Sequence, residues 1–334
     1  VSQLKVGLLG GGSWGTTVAS LVSRNGPVIL WARNPETVRE INADHTNRRY
    51  LPGIRLPERL QATDDLATTV AEADVLVMAI PSQNFRAVLE KVREHIRAWV
   101  PVISLTKGFE AGTRKRMTEI VEEVLPGHPT GVLTGPNLAR EIMEGRAAAS
   151  VLAMQGGGNV ELLRPLFNSG LFRVYSNEDV VGCELGGVLK NIIAIAVGMG
   201  DGLGAGDNTR AGLITRGLAE ITRLGVALGG CKETFSGLAG MGDLIATCTS
   251  PQSRNRHVGL ELGKGRTIDE IVADMVMVAE GVKSAPTVME LAGEHAISMP
   301  IAEDVYKVLT GESTAQRAFR GLLRVSAGAE SEPG

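Results

Sequence analysis

Aromatic residues make up only 4% of this 334-residue chain, so its core must be built from Leu, Val, Ile, Ala and Met. Cysteine is scarcer still. Cys183, Cys231 and Cys248 are odd in number, far apart and form no CxxC pair, which argues against a disulfide framework or a structural zinc site. The histidines His45, His95, His128, His257 and His295 show no metal-ligand spacing and read as surface or capping residues, so no metal is expected. Net charge is only −3, with both signs dispersed. That excludes a general nucleic-acid binder, which would carry a basic stripe, but permits a local cluster gripping one phosphate. No stretch reaches about 18 apolar residues without a charge, and the first apolar run, at 6–9, is too short for a signal peptide. The expectation is a soluble, cytoplasmic protein with no membrane span.

What is present suffices for two domains. Apolar residues supply 43% and charged residues 21%, the balance of a folded protein, in a chain longer than one core usually serves. Short β-branched runs at 4–9, 28–31, 75–80, 102–105, 130–133 and 150–154 alternate with helical patterns at 14–23, 67–71, 85–96 and 114–124. Such alternation predicts an α/β domain over 1–180, a Rossmann-type, mainly parallel sheet covered on both faces. From Glu178 the periods turn helical: Leu185, Val188, Leu189, Ile192, Ile193 and Ala196, then Ala211, Ile214, Leu218 and Ile221. An all-α domain is therefore expected over 181–326, with a disordered tail at 327–334 and a cleft between the domains. The sequence Ser176-Asn177-Glu178-Asp179 marks the boundary as a helix cap.

The run Leu4-Lys5-Val6-Gly7-Leu8-Leu9 leads into Gly10-Gly11-Gly12-Ser13-Trp14-Gly15, a GxGxxG pattern on Gly10, Gly12 and Gly15. Gly10 permits a tight turn, Gly12 lets backbone approach a pyrophosphate, and Gly15 lets the helix close on its strand. The free N–H groups at that helix start then favour phosphate. After the second strand stands Arg33, where an acidic residue would bind the ribose 2′-hydroxyl of NAD. A guanidinium there suits a 2′-phosphate instead, so NADPH is the expected cofactor, with NADH the lesser choice.

In the second half, the helix over 184–197 is apolar nearly all round yet carries Glu184, Lys190 and Asn191. A buried ammonium is costly unless paired. Gly186 and Gly187, four and three residues before Lys190, share its face and read as leaving room for a ligand. Lys190 is thus either a proton donor and acceptor at a carbonyl carbon, or a lysine paired with Glu184. Asp243, in Gly240-Met241-Gly242-Asp243-Leu244, binds a substrate hydroxyl or holds Lys190 charged. Ser253, Arg254 and Asn255 open a helix after Pro251 and form either a phosphomonoester site or a polar cap. The stretch 198–207 reads as a mobile glycine-rich loop. Lys107 and Gly135-Pro136-Asn137 follow strands, where ligands of open α/β sheets sit.

Together these motifs resemble the bacterial NAD(P)-dependent glycerol-3-phosphate dehydrogenases over nearly the whole chain. The matching stretches are 10–15 (GGGSWG), 105–110 (LTKGFE), 135–141 (GPNLARE), 184–191 (ELGGVLKN), 206–217 (GDNTRAGLITRG), 240–244 (GMGDL), 247–256 (TCTSPQSRNR) and Ala279-Glu280-Gly281. The resemblance implies reversible hydride transfer between NAD(P)H and dihydroxyacetone phosphate, giving glycerol 3-phosphate for phospholipid synthesis. It implies Lys190 as proton donor and acceptor, and substrate contacts from Lys107, Gly135, Asn137, Asp243, Ser253, Arg254 and Asn255, with Asn191 and Thr247 nearby. It implies cofactor contacts from Ser13, Trp14, Arg33, Tyr50, Lys107, Ala139, Arg254 and Glu280, and a homodimer. Asn137 departs from the Ser or Thr usual in that turn, and the Tyr50 position varies in type. Two rivals share the two-domain plan: a 3-hydroxyacid dehydrogenase or ketopantoate reductase, whose substrates lack a phosphomonoester, and a non-catalytic NADPH sensor, which needs no buried lysine.

Overall fold

Val6–Leu9 (β1), with every residue buried, is the strand from which the N-terminal unit is built outward. The computed structural model describes residues 4–156, 158–275 and 279–322. It divides into two units between Val180 and Val181. The first holds strands β2 Val28–Trp31, β3 Gln61–Thr63, β4 Val75–Met78, β5 Val102–Ser104, β6 Thr130–Thr134, β7 Ala148–Met154 and β8 Phe172–Asn177. Its helices are α1 Ser13–Val22, α2 Pro35–Asp44, α3 Leu66–Ala71, α4 Ser82–Arg93, α5 Met117–Val124, α6 Ala139–Met143 and α7 Gly158–Phe167.

The strands form one sheet in the order β3-β2-β1-β4-β5-β6-β7-β8. The first six are parallel, β7 is antiparallel to β6, and β8 is parallel to β7. This is a doubly wound arrangement whose direction of winding reverses at β1. Leu9 registers with both Trp31 and Met78, so the loops after β1, β2 and β4 leave from one edge. Alternate residues feed two cores. Leu8 and Leu30 join the cluster on one face, Leu9 and Met78 that on the other. Two strands escape the sequence pattern. In β3 only Ala62 is buried, and β8 alternates buried and exposed residues, as edge strands do.

The second unit has no strand among its described residues. It comprises α8 Val180–Gly202, α9 Asp207–Ala227, α10 Lys232–Phe235, a π-helical turn Leu238–Gly242, α11 Asp243–Thr249, α12 Arg254–Gly263, α13 Ile268–Asp274, α14 Glu280–Glu294, α15 Pro300–Leu309 and α16 Ala315–Leu322. By length and composition α8 would cross a membrane, but 94% of its most apolar window is buried inside the protein, which makes it the core helix.

Two expectations are corrected here. The stretch 198–207 is not a loop throughout, because α8 runs on to Gly202. A Cβ on Gly198 would lie 2.1 Å from the Arg256 carbonyl oxygen, and one on Gly202 would lie 2.3 Å from that of Leu260. The facing helix answers with Gly259 and Gly263, whose Cβ atoms would meet the Ile195 and Met199 carbonyl oxygens at 2.0 and 2.5 Å. Two pairs of small residues, each spaced by four, let α8 and α12 touch backbone to backbone. The second correction concerns α9. Its buried face is Leu213, Gly217, Glu220, Ile221 and Leu224, while Ala211 is exposed and Ile214 and Leu218 are half-buried. Gly217 belongs to that face because Ile193 fills the space beside it. The expected tail at 327–334 lies outside the described residues.

Candidate active site

In the first unit the glycines of the fingerprint do three different jobs. Gly10 has φ +123°, and a Cβ there would sit 2.4 Å from the Ala79 carbonyl oxygen, between the diverging strands β2 and β4. Only glycine takes that turn comfortably. Gly15 closes α1 onto the turn, with its missing Cβ 2.0 Å from the Gly10 oxygen. Gly12 is the N-cap of α1, contributes no side-chain cap, and a Cβ there would meet nothing within 4 Å. The first N–H groups of α1, from Ser13 onward, thus receive no side-chain cap from the N-cap position. A pyrophosphate fits this cradle, since a helix N-terminus without its own cap favours an anion.

Around the same edge stand the other residues the sequence singled out. Arg33, two positions beyond β2, is exposed. Trp14 packs against the core, its ring 6.3 Å from that of Phe172. Tyr50 is half-buried, with the Arg49 guanidinium 5.6 Å from its ring. Lys107 follows β5 and donates to the Gly135 carbonyl at 3.1 Å. Its loop is tied down by Arg86, which grips Glu110 through two hydrogen bonds of 2.7 and 2.9 Å. Arg86 in turn holds the Glu110 carboxyl below the usual carboxylate range. Gly135 has φ +139° and lies against Ser150. The Asn137 amide donates to Ser150 Oγ at 3.2 Å, leaving its Oδ1 buried without a partner among the described residues. Ala139 opens α6.

The second unit gathers the ionisable groups. Lys190 is 5% exposed, and its Nζ lies 2.9 Å from Asp243 Oδ1. The same ammonium donates to Thr247 Oγ1, and Thr247 hydrogen-bonds Asp243 at 3.4 Å. Asp243 and Thr247 sit one turn apart on α11, so both meet Lys190 from one helix face. Asp243, one of the partners the sequence offered, meets the ammonium within ion-pair distance. Gly186 corrects a further expectation: its open side is filled by backbone, with the Ala239 oxygen 2.7 Å from where a Cβ would be. That glycine makes room for the π-helical turn that delivers Asp243, not for a ligand. Burial pushes the Cys248 thiol on α11 up to about 12, which keeps it protonated at neutral pH.

A second group lies where α12 starts. Ser253 is its N-cap, accepting from Arg256 N at 3.2 Å, and Arg254 is exposed at its first position. Asn255 donates to Asn191 Oδ1 and accepts from Gly281 N, both at 2.9 Å. Glu280, first residue of α14, acts electrostatically on Arg254. Sequence reasoning missed Asp201. Its carboxylate takes Arg210 at 2.8 Å on one oxygen and Arg256 at 2.7 Å on the other, pinning the end of α8 to the starts of α9 and α12. The pairing joins residues far apart in sequence, so no local pattern announces it. Among the described residues no group of three or more His, Cys, Asp or Glu side chains is placed to hold a metal.

Comparison with known proteins covers both units. Residues 5–158 match the NAD-dependent glycerol-3-phosphate dehydrogenase N-terminus, and residues 179–320 match its C-terminus. A glycerol-3-phosphate dehydrogenase (NAD(P)+) of Sphingopyxis alaskensis is 73% identical, over 99% of this chain and 100% of its own. One of Mycobacterium avium is 56% identical, over 96% of this chain and 94% of its own. The crystal structure of glycerol-3-phosphate dehydrogenase from Coxiella burnetii superposes with a TM-score of 0.92 at 39% identity, covering 97% of this chain and 99% of that one. A ketopantoate reductase from Ralstonia eutropha, at 14% identity and a TM-score of 0.62, shares the fold alone. With a dinucleotide-ready glycine turn in one unit, a buried lysine–aspartate pair in the other and likeness across nearly its full length, this chain belongs to the NAD-dependent glycerol-3-phosphate dehydrogenase family.

Proposed function

We propose that this enzyme interconverts dihydroxyacetone phosphate and sn-glycerol 3-phosphate using NADPH or NADH, with Lys190 as the acid and base. The observation that carries the reading is the ammonium buried against Asp243 and Thr247. A lysine in that setting stays charged because a carboxylate faces it, and it has a proton to give. When bound, the nicotinamide supplies the hydride for C2 of the ketone. Lys190 gives its proton to the C2 oxygen as the alcohol forms, and takes one back in the reverse direction. Thr247 and Asp243 aim Nζ and keep it protonated. Ser253, Arg254 and Asn255 take the phosphate at the start of α12, with Asn191 holding Asn255 in place. Lys107, Gly135 and Asn137 serve the substrate from the sheet edge. The dinucleotide is held by Gly10, Gly12, Ser13, Trp14 and Gly15 along its pyrophosphate, with Tyr50, Lys107, Ala139, Arg254 and Glu280 as further contacts. Arg33 takes the 2′-phosphate and favours NADPH. The product feeds phospholipid synthesis in the cytoplasm, and the working form is a homodimer.

The test follows nicotinamide absorbance with NADPH and dihydroxyacetone phosphate. Lys190→Met should lower kcat by ~10²–10⁴-fold, the usual contribution of a positioned acid. Wild-type kcat in that variant would remove Lys190 from the chemistry. No oxidation of NADPH by the wild-type enzyme would favour a sensor instead.

A further inference from the structure

Asn47 lies outside every motif singled out above, yet it is fully buried against the glycine turn. Its Nδ2 donates to the Gly11 carbonyl at 2.9 Å and to Thr16 Oγ1 at 2.9 Å. A carbonyl oxygen only accepts, so the side-chain atom facing Gly11 is the amide nitrogen. Its Oδ1 is buried and has no partner among the described residues. A buried, half-satisfied amide is a poor way to stabilise a core, where an apolar side chain of similar size would serve better. Its backbone carbonyl accepts from Tyr50 N at 3.1 Å and Leu51 N at 2.7 Å, starting the turn that carries Tyr50.

We propose that Asn47 is a positioning residue for the dinucleotide: it fixes the orientation of the Gly11–Gly12 peptide and so the donor face of the phosphate cradle. In a trans peptide the C=O and the following N–H point in opposite directions. With the Gly11 oxygen drawn to Asn47, the Gly12 N–H is aimed the other way. The Thr16 bond adds a second anchor on the first turn of α1, where Thr16 N already bonds the Gly12 oxygen at 2.9 Å. Without the amide, the peptide is free to turn its carbonyl oxygen outward. An oxygen dipole facing a phosphate repels it, where an N–H attracts it.

The inference rests on the cofactor reading above, and the test separates the two. NADPH affinity is measured by calorimetric titration of the purified full-length protein, beside the unliganded Tm and the KM for dihydroxyacetone phosphate. Asn47→Ala should raise the NADPH Kd by roughly ten-fold, the equivalent of one hydrogen bond, with the KM for dihydroxyacetone phosphate unchanged. Asn47→Asp, of the same shape but facing Gly11 with an oxygen, should raise it further. Asn47→Ser keeps a donor and should recover most of the affinity. Wild-type NADPH affinity in both Asn47→Ala and Asn47→Asp, whatever their Tm, overturns the proposal. Failure of the wild-type protein to bind NADPH would sink the cofactor reading instead.

Discussion

Glycine is put to opposite uses in the two units. At the start of α1 the missing side chain leaves open space: a Cβ on Gly12 would meet nothing within 4 Å. Between α8 and α12 it is absent side chain as contact: the missing Cβ atoms of Gly198, Gly202, Gly259 and Gly263 are replaced by carbonyl oxygens of the facing helix. The first use costs the fold little and, on the cofactor reading proposed above, serves binding. The second is structure, and it sets how close the Lys190 helix lies to the start of α12. A glycine count alone does not separate them; what fills the space does.

The sharpest way to strain this contrast is to disturb the buried Lys190–Asp243 pair of the helical unit. Asp243→Ala takes the carboxylate away from the buried Lys190 ammonium, and chemical denaturation should show a loss of ~3–5 kcal/mol. A loss below about 1 kcal/mol would mean that the pair is more solvated than its burial suggests. Next in size is Gly259→Ala. Its new methyl would overlap the Ile195 carbonyl, so helices must part, at a cost of ~1–3 kcal/mol or more. Gly12→Ala is its counterpart and should leave the unliganded stability within ~0.5 kcal/mol while weakening NADPH. Equal melting of the two variants would erase the distinction drawn here.

The smallest expected effect is a matter of pH. Glu220 on α9 is buried and caps α15 from a distance, accepting from Ile301 N at 2.8 Å and Ala302 N at 3.2 Å. Burial pushes its carboxyl up to about 7, although those N–H groups pull the other way. The folded chain thus holds this proton more tightly than the unfolded one. Its contribution is complete below the ordinary value of 4.5 and fades as pH rises through about 7. Glu220→Gln should flatten that part of the stability–pH curve. A slope identical to wild type would assign it to other groups.

How far the sequence could be read also differs between the units. The runs at β1 and β4 to β7 were legible because strands buried on both faces are nearly continuously apolar, and β2, only half-buried on one face, is apolar throughout as well. Edge strands β3 and β8 were not, since half their residues face out. In the helical unit Lys190 stood out as a charge in an apolar helix, with Asp243 one of its two offered partners. The loop expected at 198–207 failed because local propensity counts glycine against a helix, whereas here distant backbone demands it. The face of α9 was misphased for the same reason: Gly217 and Glu220 on its buried side do not look hydrophobic. Asn47, in the polar run Thr46-Asn47-Arg48-Arg49, gave no hint of burial. Apart from Lys190 and Asp243, what depends on who faces whom across the chain was hidden.

One consequence reaches back to how the protein is made. α8 is greasy enough to pass for a bilayer-spanning segment, and the helix that lies against its glycines, α12, is synthesised only later. A polypeptide halted between Gly202 and Arg254 therefore carries its stickiest stretch with that partner still missing. Such fragments belong to chaperones or to aggregates, and the last residues of α12 mark the earliest point at which the seam can close.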